Sequence, residues 1–198
     1  MDARDLLIEE HSAVHSAAVG GNKASLAERT FGGLTDDQMR VRPRPDLNSL
    51  AWLMWHFTRL EDVIFNPVLV NRGQVFDDAW AKKLNVSRRD FGIGMKSDEV
   101  TALTNQVNVA ALREYRAAVS GRTKEIVGGF KDADWTGNVE APMLERGLAQ
   151  GGFGERLVKL FSGAPKTGIM SGIGLFHASG HMGEAVTVRS AGGFGTGV

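Results

Sequence analysis

Apolar residues recur at helical spacing in four long stretches of the chain. Over residues 3–18, Leu6, Leu7, Val14, Ala17 and Ala18 fall along one helical face. Gly20-Gly21-Asn22 breaks that pattern, and a short segment follows over 24–30. Thr35 and Gln38 stand at capping-box spacing, which predicts a short helical turn. Arg42-Pro43-Arg44-Pro45 ends it, because each proline drives its predecessor out of the helical region. Asn48 and Ser49 are good N-caps for a second long helix over 48–66. Its stripe is Leu50, Leu53, Phe57, Leu60 and Ile64, and Pro67 limits its length. A third long helix runs over 97–127, where Asp98 and Glu99 suit the positive end of the helix dipole. Leu103, Val107, Ala111, Ala118 and Ile126 face its core side. The fourth covers 168–190 and carries Ile169, Met170, Ile173, Phe176, Ala185 and Val188.

Two connections lack a clear period. Residues 71–96 are one, and a connection of that length is functional or carries small elements of its own. Residues 136–167 read as loop with one short helix over 154–161. The glycine-rich end reads as a flexible tail, giving one domain over 1–190 and a tail over 191–198. No alternating strand pattern and no internal repeat occurs, so the prediction is an all-α fold built on four principal helices.

Composition narrows the function classes. Lys+Arg and Asp+Glu are both 23, a zero balance that argues against a nucleic-acid-coating or membrane-surface protein. Cysteine is absent, which excludes disulfides, thiolate zinc or iron–sulfur ligation and a cysteine nucleophile. The longest apolar run, Leu50 to Trp55, is far too short to cross a bilayer, and a cytoplasmic protein is the expectation. Trp52, Trp55 and Phe57 read as core, and Arg40, Arg42 and Arg44 as a solvated basic loop.

The five histidines carry the chemistry. His11/His15 and His177/His181 are spaced i,i+4, which puts both rings of a pair on one helical face. Two such rings plus a third ligand from another helix make a metal site with an open position. His56 is the natural third, because Trp52, Leu53, Leu60 and Val63 place it in or beside an apolar stripe. Alone, it reads sooner as a core histidine satisfied by a backbone carbonyl. Glu184 shares the His177/His181 face and can orient an imidazole, bind metal or act as a general base. Gly172, Gly174, Gly180 and Gly183 each cost roughly 0.8–1.0 kcal/mol in a helix interior. Close helix approach or room for a ligand would compensate. The polar neighbours of His11/His15 (Glu9, Glu10, Ser12, Ser16) predict an exposed pair. Spacing alone does not choose between the pairs.

Motifs that are missing matter too. No Glu-x-x-His points to a di-iron bundle, and no His-Glu-x-x-His to a zincin. Pro165-Lys166-Thr167 lacks a P-loop glycine, and Gly193-Phe-Gly195-Thr-Gly197 neither follows a strand nor opens a helix.

The segment Asn48 to Asp62, with His56 after a Trp-rich stretch, resembles the second helix of the DinB/YfiT-like metalloenzymes. His177-Ala-Ser-Gly-His181-Met-Gly-Glu184, running on to Arg189, is similar to that family's last-helix motif, and Phe91 to Val100 to the approach to its third helix. The resemblance covers most of the chain; the stretch 136–167 falls outside it. It implies a four-helix bundle with a three-histidine metal site formed by His56, His177 and His181, and homodimers. It also implies a small-molecule substrate, because members include bacillithiol- and mycothiol-dependent S-transferases. Imidazole ligands suit Zn, Ni or Fe. With no cysteine in the chain, a low-molecular-weight thiol would have to supply any sulfur nucleophile. A metal-dependent hydrolase and a non-catalytic stress-response module with a vestigial site are the alternatives.

Overall fold

The computed structural model describes residues 2–21, 23–150 and 155–198; Met1, Asn22 of the predicted break, and residues 151–154 lie outside them. Helix α1 (Ala3–Val14) is capped by Asp2, whose side chain accepts the Asp5 N–H. It ends four residues short of the prediction, and a 3-10 turn covers Ala17–Val19. Capping boxes open α2 (Leu26–Phe31, Ser25 with Glu28) and α3 (Asp36–Arg40, Thr35 with Gln38).

Helix α4 (Leu50–Val63) starts at Ser49, which accepts the Trp52 N–H, and every one of its residues is buried. The apolar stripe is therefore only part of its interior face; polar Thr58, Arg59, Glu61 and Asp62 are buried as well. Pro67 does not stop the helix. The path widens into a π-helical turn over Ile64–Val68, which accommodates a residue that has no N–H.

The 71–96 connection contains α5 (Asp78–Leu84). Asp62 gives its approach a fixed shape. Its carboxylate accepts the Val75 and Phe76 N–H groups at 2.8 and 2.9 Å, Asn66 Nδ2 at 2.8 Å and the Tyr115 hydroxyl at 2.6 Å. Burial pushes the Asp62 pKa up, outweighing the Arg59 charge and these donors. Arg59 lies over the Phe76 ring and donates to the Arg89 carbonyl.

The predicted 97–127 helix is two helices, α6 (Ser97–Gln106) and α7 (Val109–Gly129). Asn108 breaks the run by capping α7, accepting the Ala111 N–H at 3.0 Å. Arg40 closes α6 by donating to the Thr104 and Val107 carbonyls, and Arg42 donates to the Leu47 and Ser97 carbonyls. Much of the basic loop is thus a clamp on α6. Among the described residues, three helices occupy the stretch around 136–167: α8 (Asp132–Thr136), α9 (Ala141–Gln150) and α10 (Glu155–Phe161). The final helical path has three parts: α11 (Lys166–Ile169), a π-helical stretch over Met170–His177, and α12 (Ala178–Ala191). The fold is all-α; among the described residues there is no strand, only one bridge between Asn138 and Pro165.

Helices α1, α4, α7 and α12 form a ring in which α4 touches α7 and α12, and α1 touches the same two. One apolar cluster surrounds the first half of α4 around Leu53, Trp55 and Tyr115; the other surrounds its end around Phe65, Val127 and Leu144. Full burial of each such side chain contributes about 1.5–3 kcal/mol, so α4 is anchored at both ends. Arg189 locks α12 to α2 by donating to the Thr30 and Gly32 carbonyls at 2.6 and 3.0 Å, which have no partner within α2. Its Nε donates to the Phe194 carbonyl at 3.2 Å, tying part of the glycine-rich end to the domain.

Candidate metal centre

His56 sits mid-way along α4 and is 3% exposed. Its Nδ1–H donates to the Phe91 carbonyl at 2.5 Å. A neutral imidazole with that proton placed has its bare lone pair on Nε2. The next residue has to be glycine. Gly92 has φ +86°, and a Cβ there would lie 2.8 Å from the Trp55 ring and 3.1 Å from Trp52. Trp52 in turn stacks on His56 at 4.8 Å, with an interplanar angle of 8°.

His177 ends the π-helical stretch and His181 stands one turn into α12. Their ring centroids are 4.5 Å apart, and they lie 5.3 and 4.7 Å from that of His56. One ring nitrogen from each of the three is within 4.8 Å of the others. His181 Nδ1–H donates to Glu184 Oε2 at 2.8 Å, and Asn48 Nδ2 donates to Glu184 Oε1 at 2.9 Å. Asn48 is therefore a partner of Glu184, while Ser49 does the capping. His177 Nδ1 is buried with no hydrogen-bond partner.

Burial, together with the neighbouring histidines, pushes His56 down to about 4 against its bond to Phe91. Burial and His181 push His177 to about 4. Both rings are neutral near pH 7, the form that ligates metal. Burial would raise the Glu184 pKa, but the bonds from His181 and Asn48 outweigh it and hold the carboxyl low. Of the four glycines, only Gly174 has a close approach, 3.0 Å to the Phe65 ring from a Cβ; Gly172, Gly180 and Gly183 face open space.

The other pair corrects the expectation of exposure. His11 and His15 are 1% and 2% exposed, and their rings stack at 4.3 Å. With Glu61 they form a second buried group whose geometry could bind metal. His11 Nε2–H donates to Glu61 Oε1 at 2.9 Å, and Thr123 Oγ1–H donates to the same oxygen at 2.7 Å. Arg116 Nη1 donates to Oε2. His15 Nε2–H donates to the Gly174 carbonyl at 2.5 Å, while its Nδ1 lies 3.1 Å from Glu61 Oε2. Burial, Arg116 and His11 hold His15 near 4 against the pull of Glu61. For Glu61, burial acts upward, but Arg116 and the two histidines win and its pKa is well below the ordinary value. The two groups differ in charge. A guanidinium already neutralises the Glu61 carboxylate, whereas His56, His177 and His181 have only the Glu184 carboxylate behind them. A cation is opposed at the first group and unopposed at the second.

The pairing of His11 and His15 was visible in their spacing. Glu61, Arg116 and Thr123 carried no such signal, because their partners lie fifty or more residues away.

A family model for the DinB superfamily matches residues 23–158, well over half of the chain. The chain belongs to the DinB superfamily. The DinB match includes His56 and stops before His177 and His181. A crystal structure described as a conserved protein of Enterococcus faecalis is similar over 96% of this chain and 97% of that one. Its TM-score is 0.67 at 19% identity, a likeness of fold. No curated protein matches this DinB-superfamily chain. No helix among the described residues is long and apolar enough to cross a membrane.

Proposed function

We infer that this DinB-superfamily protein is a metal-dependent enzyme whose ion is held by His56, His177 and His181. The observation that carries this reading is the convergence of three imidazoles, two of them with Nδ1–H already committed, to Phe91 and to Glu184. A buried, unpartnered Nδ1 on the third fits a ring whose task is ligation rather than hydrogen bonding within the fold. Zn, Ni and Fe all accept such a donor set.

The reaction we assign is transfer of a small thiol onto an electrophile. The chain has no cysteine, so the sulfur is the cosubstrate's. A divalent metal here supplies Lewis acidity that favours the thiolate form of a bound thiol. The thiolate forms the new C–S bond, the leaving group departs with its electron pair, and the thiol proton passes to solvent. Glu184 acts as a positioning residue. Both its oxygens accept hydrogen bonds and its pKa is held low, which makes it a poor base and a firm orienter of His181. Trp52 covers one face of His56 and keeps water off it.

The test is thiol consumption against an activated halide or Michael acceptor, with bacillithiol and mycothiol as thiols, in metal-loaded wild type and His177→Ala. Turnover lost in the variant is expected. Equal rates in both proteins, or hydrolysis of the electrophile without thiol consumption, would overturn the transferase reading.

A further inference from the structure

The three imidazoles of the candidate centre are not held in the same way. The Phe91 carbonyl fixes His56 and Glu184 fixes His181, each through Nδ1–H. His177 Nδ1 is buried with no hydrogen-bond partner, so its backbone has to place the ring. That backbone is irregular, because the π-helical stretch Met170–His177 passes into α12 at Ala178. In a regular α-helix the Ala178 N–H would donate to the Gly174 carbonyl, four residues back. Here it donates to Leu175. Gly174 is buried, and a buried carbonyl deprived of its helical donor needs another.

His15, just past the end of α1, supplies it. Its Nε2 lies 2.5 Å from the Gly174 oxygen, and a carbonyl only accepts, so the proton is on Nε2. The ring that carries this proton is itself fixed. It stacks on His11 at 4.3 Å and meets the Phe57 ring edge-on at 5.9 Å. His11 is anchored in turn on Glu61. Gly174 has little room to move, since a Cβ there would lie 3.0 Å from the Phe65 ring. His177 follows three residues later. A slip of one residue at this junction would turn its ring by about 100° around the helix axis, away from His56. Helix α12 is anchored elsewhere, by Arg189 on α2 and by Glu184 on Asn48, so the slip would fall on the stretch that ends in His177.

We propose that His15 is a positioning residue of the metal centre. By occupying the Gly174 carbonyl it fixes the junction between the π-helical stretch and α12, and with it the His177 ring. It does for His177, through the backbone, what Phe91 and Glu184 do directly for the other two rings. The role assigned to His177 rests on the reading of the three histidines as ligands; the placement of its ring does not.

The test compares wild type, His15→Met, which loses the donor, and His15→Gln, which keeps an N–H at a similar reach. Leu84→Ala, a buried truncation in α5, controls for lost stability alone. In metal-free full chain, nuclear Overhauser cross-peaks link the His56 ring to those of His177 and His181. His15→Met should lose the His177 cross-peak and keep the His181 one, and Zn affinity in a chelator competition should fall by about tenfold or more. His15→Gln should recover both readouts, and Leu84→Ala should leave both unchanged. The His15 tautomer in the wild type, read from its ring nitrogen resonances, serves if the methionine variant fails to fold; a proton on Nε2, protected from exchange, is expected. Unchanged cross-peaks in His15→Met, loss of both cross-peaks together, the same selective loss in Leu84→Ala, or a wild-type ring protonated on Nδ1 alone would overturn the proposal. A wild type that binds no Zn would count against the metal reading only, and the metal-free cross-peaks would still decide this one.

Discussion

Glu61→Gln removes the charge at the middle of the buried network and leaves the shape nearly unchanged. Glu61 accepts from His11, Thr123 and Arg116, and His15 Nδ1 lies 3.1 Å from its second oxygen. All of these groups are buried. A glutamine offers one acceptor where two stood, turns an amide donor toward other donors, and strands the Arg116 guanidinium. Breaking one side of a buried ion pair costs about 3–5 kcal/mol. For a chain of this size each kcal/mol moves the melting temperature by about 2–4 °C, so the drop should be about 6–20 °C. Urea unfolding and calorimetry of metal-free protein measure it. Converting Arg116 to Met in the same chain should recover part of the loss, because removing both partners costs less than orphaning one. A loss below about 1 kcal/mol, the size seen for exposed ion pairs, would refute the reasoning.

Other outcomes follow from the same geometry. His15, His56 and His177 are held near 4 against an ordinary 6.5, so the unfolded chain takes up their protons first. Their contribution to stability is whole above pH 6.5 and is lost as pH falls toward 4, so the urea midpoint of metal-free protein should fall across that window; a level profile would contradict it. Glu184→Ala should lower metal affinity by about 10–100-fold in a chelator competition while leaving the fold intact. Unchanged affinity would show that His181 needs no orienting partner.

Local rules reached some of this molecule and not the rest. Ser49 and Thr35 mark helix starts in the sequence because a cap needs only its own next three residues. Asn108 is a signal of the same kind inside the predicted 97–127 helix, hidden by the apolar spacing that continues across it from Leu103 to Ala111. Pro67 was expected to limit the second long helix, but a π-helical turn absorbs a missing N–H without ending the path. Helix α9 lies in a stretch read as loop. It packs where Gly147 meets the Val68 side chain, a close approach that leaves no room for a Cβ and that no period announces.

The candidate metal centre was more legible than the charge network. Spacing pairs His177 with His181 and an apolar setting singles out His56, while the choice of that pair over His11/His15 comes from the family resemblance. The carbonyl that holds His56 belongs to Phe91, and the backbone turn that presents it depends on Gly92 at positive φ. His11 and His15 carry polar neighbours and look exposed. Burial becomes tolerable only through Glu61, Arg116 and the Gly174 carbonyl, all distant in sequence. Asp62 is similar: its place in a helix gives no hint that it fixes Val75 and Phe76.

The most direct test is elemental analysis of untagged protein purified without a metal column, run beside His177→Ala and His11→Gln. The account predicts about one divalent ion per chain in the wild type and in His11→Gln, and none in His177→Ala. Stoichiometric metal retained by His177→Ala, loss confined to His11→Gln, or a wild type that refuses added Zn and Ni would contradict it.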